Sequence, residues 1–437
     1  MLSGRWSVYQ RLPDSAVGIA EIYDAYASTS VRDLTRMASS GYALLSLAIF
    51  CKVVDNYGDI GICWRLSRQL HDEHGVAVTL WVDDMHSFQR ICPAVISGMP
   101  VQEVAGVTVR HWHEQAQAFS ADQIADIVIE FFGCEIPEQY VAAMAAMTAW
   151  RAQPVWLNLE GLSAEAWVEG CHRLPSPHPR LPLTKHFFFP GFTAKTGGLL
   201  HEATLPAACE RFQADQAGVE NFLAQLGVTP REAQALKVSL FCYPHAPVAA
   251  LFCAWQADHE AITCLVPEGV ATPAIEAFLN APALVGAVQT KGALTVRVIP
   301  FLPQPDYDRL LWTCALNFVR GEDSFVRAQW AGRPFIWHIY PQDKNLHHVK
   351  LRAFLHRRTD MGDGLAAATL RWNEVPVAGE DVELAWPNIW QRLRAGLPGL
   401  SKSSAEWTSQ MLANGDLASN LLTFAATLRQ FPSQKPE

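Results

Sequence analysis

Paired cysteines are missing from this chain: its 10 cysteines are scattered from Cys51 to Cys314, and no two form a C-x-x-C pair. That spacing supports neither a zinc site nor a disulfide framework. Reduced, mostly buried thiols are expected, and with them a cytoplasmic protein. Positive charge is scarce as well. The formal net charge is -9, which argues against a general nucleic-acid binder with a basic face, though not against a small basic pocket. Long apolar runs are absent: the longest stretch, residues 42–51, is well short of the roughly 20 residues that span a bilayer. The N-terminal region lacks the continuous apolar segment of a signal peptide. No internal repeat or low-complexity tract is evident.

What is present suits a packed α/β protein. Half of the 437 residues are hydrophobic and 18% are charged, and the length implies two or three domains. Two strand–loop–helix units stand out. The first follows the apolar run 43–50 and reads Phe50-Cys51-Lys52-Val53-Val54-Asp55-Asn56-Tyr57-Gly58-Asp59-Ile60-Gly61, ahead of a helical pattern over 62–74 closed by Gly75. The second follows the apolar run 311–318 and reads Arg320-Gly321-Glu322-Asp323-Ser324-Phe325-Val326-Arg327. Each puts acids and glycine at the C-terminal end of a strand, where open α/β sheets bind ligands. In the second unit, the free amides of a helix start form an anion site suited to a diphosphate, and an acid in the loop can hold a ribose hydroxyl. An ordinary N-cap accounts for the same residues, so the loop alone leaves both readings open. Neither loop contains the G-x-G-x-x-G dinucleotide fingerprint. Two half-sites in separate halves of the chain suggest a cleft between two similar domains.

Residues 1–40 lack a clear period and mix polar with small residues. With Met37 just upstream of the first strong strand, residues 1–36 read as a dispensable extension. From 42 to 160, strand-like segments at 76–82, 127–132 and 155–159 end in acids or glycine with helices between, which indicates a parallel sheet. The proline-rich stretch 173–182 reads as an extended connection, and 187–198 as a second irregular, glycine-rich segment in which Lys195 is either a turn lysine or a substrate contact. A second α/β block carries strand-like segments at 238–243, 261–266, 294–299 and 334–340, and beyond 385 the chain reads as helix. His347 and His348 point about 100° apart on a helix and so cannot share a metal as an i,i+4 pair does.

Five segments together carry more than any one of them. They are 50–61, 188–200 (F-F-P-G-F-T-A-K-T-G-G-L-L), 239–243 (S-L-F-C-Y), 301–311 (F-L-P-Q-P-D-Y-D-R-L-L) and 320–343 (R-G-E-D-S-F-V-R-A-Q-W-A-G-R-P-F-I-W-H-I-Y-P-Q-D). Their order and length closely resemble the bacterial elongation factor P arginine rhamnosyltransferase family, EarP, from about residue 48 to the final helices. The resemblance implies an α/β fold of GT-B architecture, two Rossmann-like domains facing a central cleft. It gives a division into 1–40 as an extension, 41–210 as the acceptor domain completed by a helix over 405–430, and 211–404 as the nucleotide-sugar donor domain. It implies inverting transfer of L-rhamnose from dTDP-β-L-rhamnose, a substrate rather than a cofactor, to an arginine of elongation factor P. The product would restore translation through proline-rich stretches. The resemblance also implies no metal, and neither nucleic acid nor membrane is expected as a partner.

A guanidinium is a poor nucleophile because it stays protonated, so an enzyme must bind the cation and remove a proton as the bond forms. On the family's pattern, Asp59 is the general base and Asp55 its helper; on spacing alone, Asp55 capping the turn and Asp59 capping the helix serves equally well. Glu322 and Asp323 match the acidic pair beside the donor, with Glu322 also a candidate for the acceptor guanidinium. Ser324 and its neighbouring amides would meet the diphosphate. Phe241, Tyr243, Gln304 and Tyr307 match the thymine and ribose site; the family often has phenylalanine where Tyr307 stands, and either ring can stack. Asn56, Tyr57, Gly58 and Arg320 are further possible contacts, Arg320 either to phosphate or to Glu322. Two other readings stay open. One is a GT-B transferase with another sugar or acceptor; the other is a non-catalytic nucleotide-binding module that docks on a translation factor.

Overall fold

The structure, a computed structural model, describes residues 45–55, 57–112, 119–120, 123–147, 153–358, 360–376 and 385–430. The expected extension 1–40 and the candidate contact Asn56 lie outside the described residues. Eight strands form the first sheet: β1 Ser46–Cys51, β2 Ala77–Val82, β3 Val101–Val104, β4 Val107–His111, β5 Ile127–Phe131, β6 Val155–Leu159, β7 Pro175–Pro177 and β8 Thr184–Phe188. Their spatial order is β3-β4-β2-β1-β5-β6-β8-β7. The inner pairs are all parallel, and β3 and β7 add antiparallel edges. Apolar residues run along β1 without alternation because both of its faces are covered: Leu47, Ile49 and Cys51 face one core, Ala48 and Phe50 the other.

Six strands form the second sheet: β9 Leu236–Leu240, β10 Ile262–Pro267, β11 Val288–Lys291, β12 Leu294–Ile299, β13 Leu316–Arg320 and β14 Phe335–His338. Their order is β11-β12-β10-β9-β13-β14, parallel except for the β11 edge. The fold is thus α/β, with two mostly parallel sheets.

The proline-rich connection departs from expectation in one respect. Pro175–Pro177 joins the sheet as β7, but only at its edge, paired antiparallel with β8, where a strand can spare its amide donors. The first two phenylalanines of the segment read as irregular belong to β8.

The helix Trp386–Leu412 links the two halves. Trp386, Ile389, Trp390, Leu393, Leu397 and Leu400 pack into the core of the second sheet, and Trp407 and Met411 pack into the core beneath the first. The last helix, Leu417–Gln430, lies against β6 and the helix Gly58–Asp72. Phe424 of this helix stacks on Phe188 at 5.9 Å, and Leu417, Leu421 and Leu422 are buried beside it. No helix among the described residues is long and apolar enough to cross a membrane.

Candidate active site

The loop after β1 is shaped by its own carboxylates. The Gly58 amide donates to the Asp55 carbonyl at 2.7 Å to close the turn, and the helix Gly58–Asp72 starts there. Asp59, in the first turn of that helix, folds back: its Oδ2 accepts the amides of Val54 at 2.7 Å and Asp55 at 2.9 Å. It is 4% exposed. Asp59 thus does not cap the helix, the role that spacing alone allowed it; it stands inside the first turn and holds the loop before it. A Cβ on Gly58 would come within 2.9 Å of Asp55 Oδ2, so only glycine lets the carboxylate lie across the turn.

The facing loop follows β13. Gly321 adopts φ +59°, and a Cβ there would stand 2.4 Å from Asp55 Oδ2 and 2.9 Å from the Tyr243 hydroxyl. Its amide donates to the His338 carbonyl at 3.1 Å, and its carbonyl accepts Trp337 Nε1 at 2.7 Å. The helix Asp323–Trp330 begins directly after Glu322. Ser324 lies at this helix start, and its hydroxyl accepts the Arg320 amide at 3.0 Å and donates to the Arg320 carbonyl.

The two loops meet. Tyr243, just past β9, donates its hydroxyl to Asp55 Oδ2 at 2.6 Å across the cleft. Arg320 lays its guanidinium over Phe241 at 4.6 Å, Tyr243 at 4.9 Å and Tyr57 at 5.7 Å, and donates to the Cys242 carbonyl at 3.3 Å. Of the two roles foreseen for Arg320, pairing with Glu322 gives way to these rings. Phe241, Tyr307 and Phe301 form an aromatic wall with centroid distances of 5.6 and 6.2 Å from Phe241. The cleft, open to solvent, spans about 530 Å³. Asp55, Tyr57, Gly58, Phe241, Gln304, Tyr307, Arg320, Asp323 and Ser324 all line it. Tyr243 and Glu322 stand behind this lining, Tyr243 on Asp55 and Glu322 toward Gly161 of the first half.

Burial sets the proton affinities. It raises Asp55 to about 6, against the lowering effects of the Tyr243 hydrogen bond and of Arg320. It raises Glu322 to about 8, opposed by the Leu162 amide and Lys350 and reinforced by Asp59 and Asp55. Burial also raises Asp323, although Arg65 and Arg327 pull the other way. Gln304 Nε2 donates to the Gly61 carbonyl at 3.0 Å and to Asp323 Oδ2 at 3.3 Å, so it bridges the halves from the floor of the cleft.

A buried ion network behind the site has no counterpart in the sequence reading. Asp308 accepts two hydrogen bonds from Arg65, both at 3.0 Å, and two from Arg327, at 3.0 and 2.7 Å. Arg65 Nε also reaches Asp323 Oδ1 at 2.9 Å, and Arg327 pairs with Glu202 at 2.7 Å. Asp308 and Arg327 each stand four residues after a candidate residue, Gln304 and Asp323, on the same helix. Charges at that spacing on helices that are otherwise buried were the available signal. Ile91 and Phe301 also line the cleft.

Lys195 is a turn lysine: its side chain is 78% exposed and 3.8 Å from Glu169. His347 accepts the Gln342 amide at 3.0 Å at the start of the helix Leu346–Arg357. Among the described residues, no group of three or more His, Cys, Asp or Glu is placed to hold a metal ion.

Comparison with known proteins fits this geometry. The family model "Elongation-Factor P (EF-P) rhamnosyltransferase EarP" matches residues 47–426. A protein-arginine rhamnosyltransferase of Pseudomonas putida is 47% identical over 383 residues, covering 86% of this chain and 97% of the relative. One from Pseudomonas aeruginosa is 44% identical over 390 residues, covering 88% and 99%. A solved structure described as "Structural basis for EarP-mediated arginine glycosylation of translation elongation factor EF-P" superposes with a TM-score of 0.59 at 34% identity, over 87% of this chain and 99% of that one.

Proposed function

The chain belongs to the EarP family of elongation factor P rhamnosyltransferases, and from that premise we propose how this cleft carries out the transfer. It is a protein-arginine rhamnosyltransferase with a GT-B-like fold, and elongation factor P is its acceptor. The donor in this proposal is dTDP-β-L-rhamnose. Its base enters the wall formed by Phe241 and Tyr307, with the Gln304 amide oxygen offering an acceptor to the pyrimidine edge, since its N–H groups serve Gly61 and Asp323, and with Asp323 offering a carboxylate to the ribose. Its diphosphate faces Arg320, Ser324 and the amides that open the helix Asp323–Trp330. The first sheet carries the acceptor half, within 41–210 and completed by the last helix; the second carries the donor half, within 211–404. Acting on a translation factor, the enzyme works in the cytoplasm.

A guanidinium nitrogen of the acceptor attacks C1 of the sugar from the face opposite the phosphate. The N–C1 bond forms, the bond from C1 to the β-phosphate oxygen breaks, dTDP departs, and the configuration inverts. The guanidinium proton passes to Asp59, which two backbone amides hold in one orientation, while Asp55 orients the cation. Glu322 supplies the second negative wall for that cation. The single observation that carries this reading is the Tyr243–Asp55 hydrogen bond of 2.6 Å, which joins the donor-side aromatic wall to the acid loop of the other half.

Intact-protein mass spectrometry of elongation factor P, incubated with this protein and dTDP-β-L-rhamnose, tests it. One deoxyhexose on an arginine is expected. Asp59→Asn should slow the transfer by about 10²-fold or more while leaving dTDP affinity near that of the unmodified enzyme. Full turnover by Asp59→Asn would remove it as the base, and a more severe Asp55→Asn would exchange the two roles.

A further inference from the structure

His338 ends β14 with its ring 1% exposed, and its hydrogen bonds leave one tautomer. Its Nδ1 is 3.2 Å from the Tyr243 amide, which can only donate, so Nδ1 carries a lone pair and the ring proton sits on Nε2. That Nε2 is 3.1 Å from Nε2 of His245, which must therefore accept, with the His245 proton on its Nδ1. Burial holds His338 neutral, its affinity falling to about 3, with His245, Arg320 and His347 adding to the effect. The carbonyl of His338 receives the Gly321 amide at 3.1 Å. One residue thus fastens two parts of the donor-side wall: the strand end that carries Tyr243 and the turn that carries Glu322.

Tyr243 is clasped by the same group. Its ring stands edge-on to His338 at 5.1 Å, stacks on His245 at 6.0 Å and meets Tyr340 at 5.7 Å, while its hydroxyl reaches Asp55. We propose that His338 and His245 are positioning residues for the transfer: His245, exposed at the protein surface, accepts from His338 and completes the hydrogen-bonded frame through which His338 aims Tyr243 at Asp55. This rests on the reading of Asp55 as part of the transfer machinery. Without the His245 acceptor the Nε2–H of His338 loses its partner, and the frame loosens. The other charged or titratable groups packed around it are Arg320, His347, Tyr340 and Asp55.

The test follows kcat, donor KM and dTDP affinity between pH 5.5 and 8.5 for the unmodified enzyme, His245→Phe, His245→Gln and Asp55→Asn. His245→Phe keeps a ring for the stack but removes the acceptor, and at neutral pH it should lower kcat by at least about fivefold with dTDP affinity unchanged. His245→Gln offers an amide acceptor in place of the ring nitrogen, and it should regain most of that loss. Ring ¹⁵N spectra of the unmodified enzyme should show His338 protonated on Nε2. His245→Phe with unaltered kcat, or a His338 protonated on Nδ1, would overturn the proposal. So would equal losses in His245→Gln and His245→Phe. Full turnover by Asp55→Asn would instead overturn the reading of Asp55, whatever the histidine variants do.

Discussion

Glu322 holds a proton at neutral pH because burial among carboxylates lifts it to about 8. An arginine brought beside it reverses that balance, since a neighbouring cation favours the ionised form. Acceptor binding near pH 7 should therefore release about one proton. Calorimetry in buffers of different ionisation enthalpy measures it, and Glu322→Gln should release none. In the free enzyme, the folded carboxyl titrates above its ordinary 4.5, so the folded state holds the extra proton and stability falls as pH rises from there toward about 8. The same substitution removes that slope: its Tm should exceed that of the unmodified enzyme above pH 8 and converge with it in acid. Tyr243 acts on Asp55 in the opposite sense, because its hydrogen bond lowers an affinity that burial has raised to about 6. Tyr243→Phe should move the acid limb of kcat/KM to higher pH. Asp55 and Gly58 were legible because they close one short turn on each other. Tyr243 was legible only as an aromatic: its partner Asp55 is 188 residues away, and no local pattern encodes that contact.

At the scale of the element, the loop after β13 depends on a backbone that favours glycine. Gly321→Ala combines a strained φ of +59° with a Cβ 2.4 Å from Asp55 Oδ2. It should cost roughly 1–3 kcal/mol in stability. It should also abolish most transfer by pushing the carboxylate aside, a pair of effects that denaturant titration and a turnover assay separate. The long inner strands announced themselves in the sequence because strands buried on both faces read as continuous apolar runs, as in β1 and β13. The edges did not. β3 and β7 have four and three residues, too few for a period to emerge, and β7 is built around two prolines that local rules assign to a connection. Neighbouring strands, rather than propensity, make these segments extended.

Across the whole molecule, the helix that carries Asp59, the helix that carries Asp323 and the helix that carries Gln304 are fastened together behind the cleft by Arg65, Asp308 and Arg327. Removing the shared carboxylate leaves two buried guanidiniums facing each other. Asp308→Asn should therefore destabilise the protein by about 3–5 kcal/mol, far beyond the effect of an exposed pair. Arg65→Met in the same background should recover part of that loss, which chemical denaturation of the single and double variants will report. The sequence shows these three charges but not their meeting, since Arg65 and Asp308 stand 243 positions apart.

The last helix, Leu417–Gln430, covers a face of the first sheet, and that gives the polypeptide an unusual timetable during synthesis. β1 to β8 leave the ribosome early, but Phe188 and its neighbours wait for Phe424 before their core closes. At ordinary elongation rates the delay is roughly 10–50 s, long enough for exposed apolar surface to meet chaperones or other nascent chains. The half of the enzyme that is made first is the half that finishes folding last.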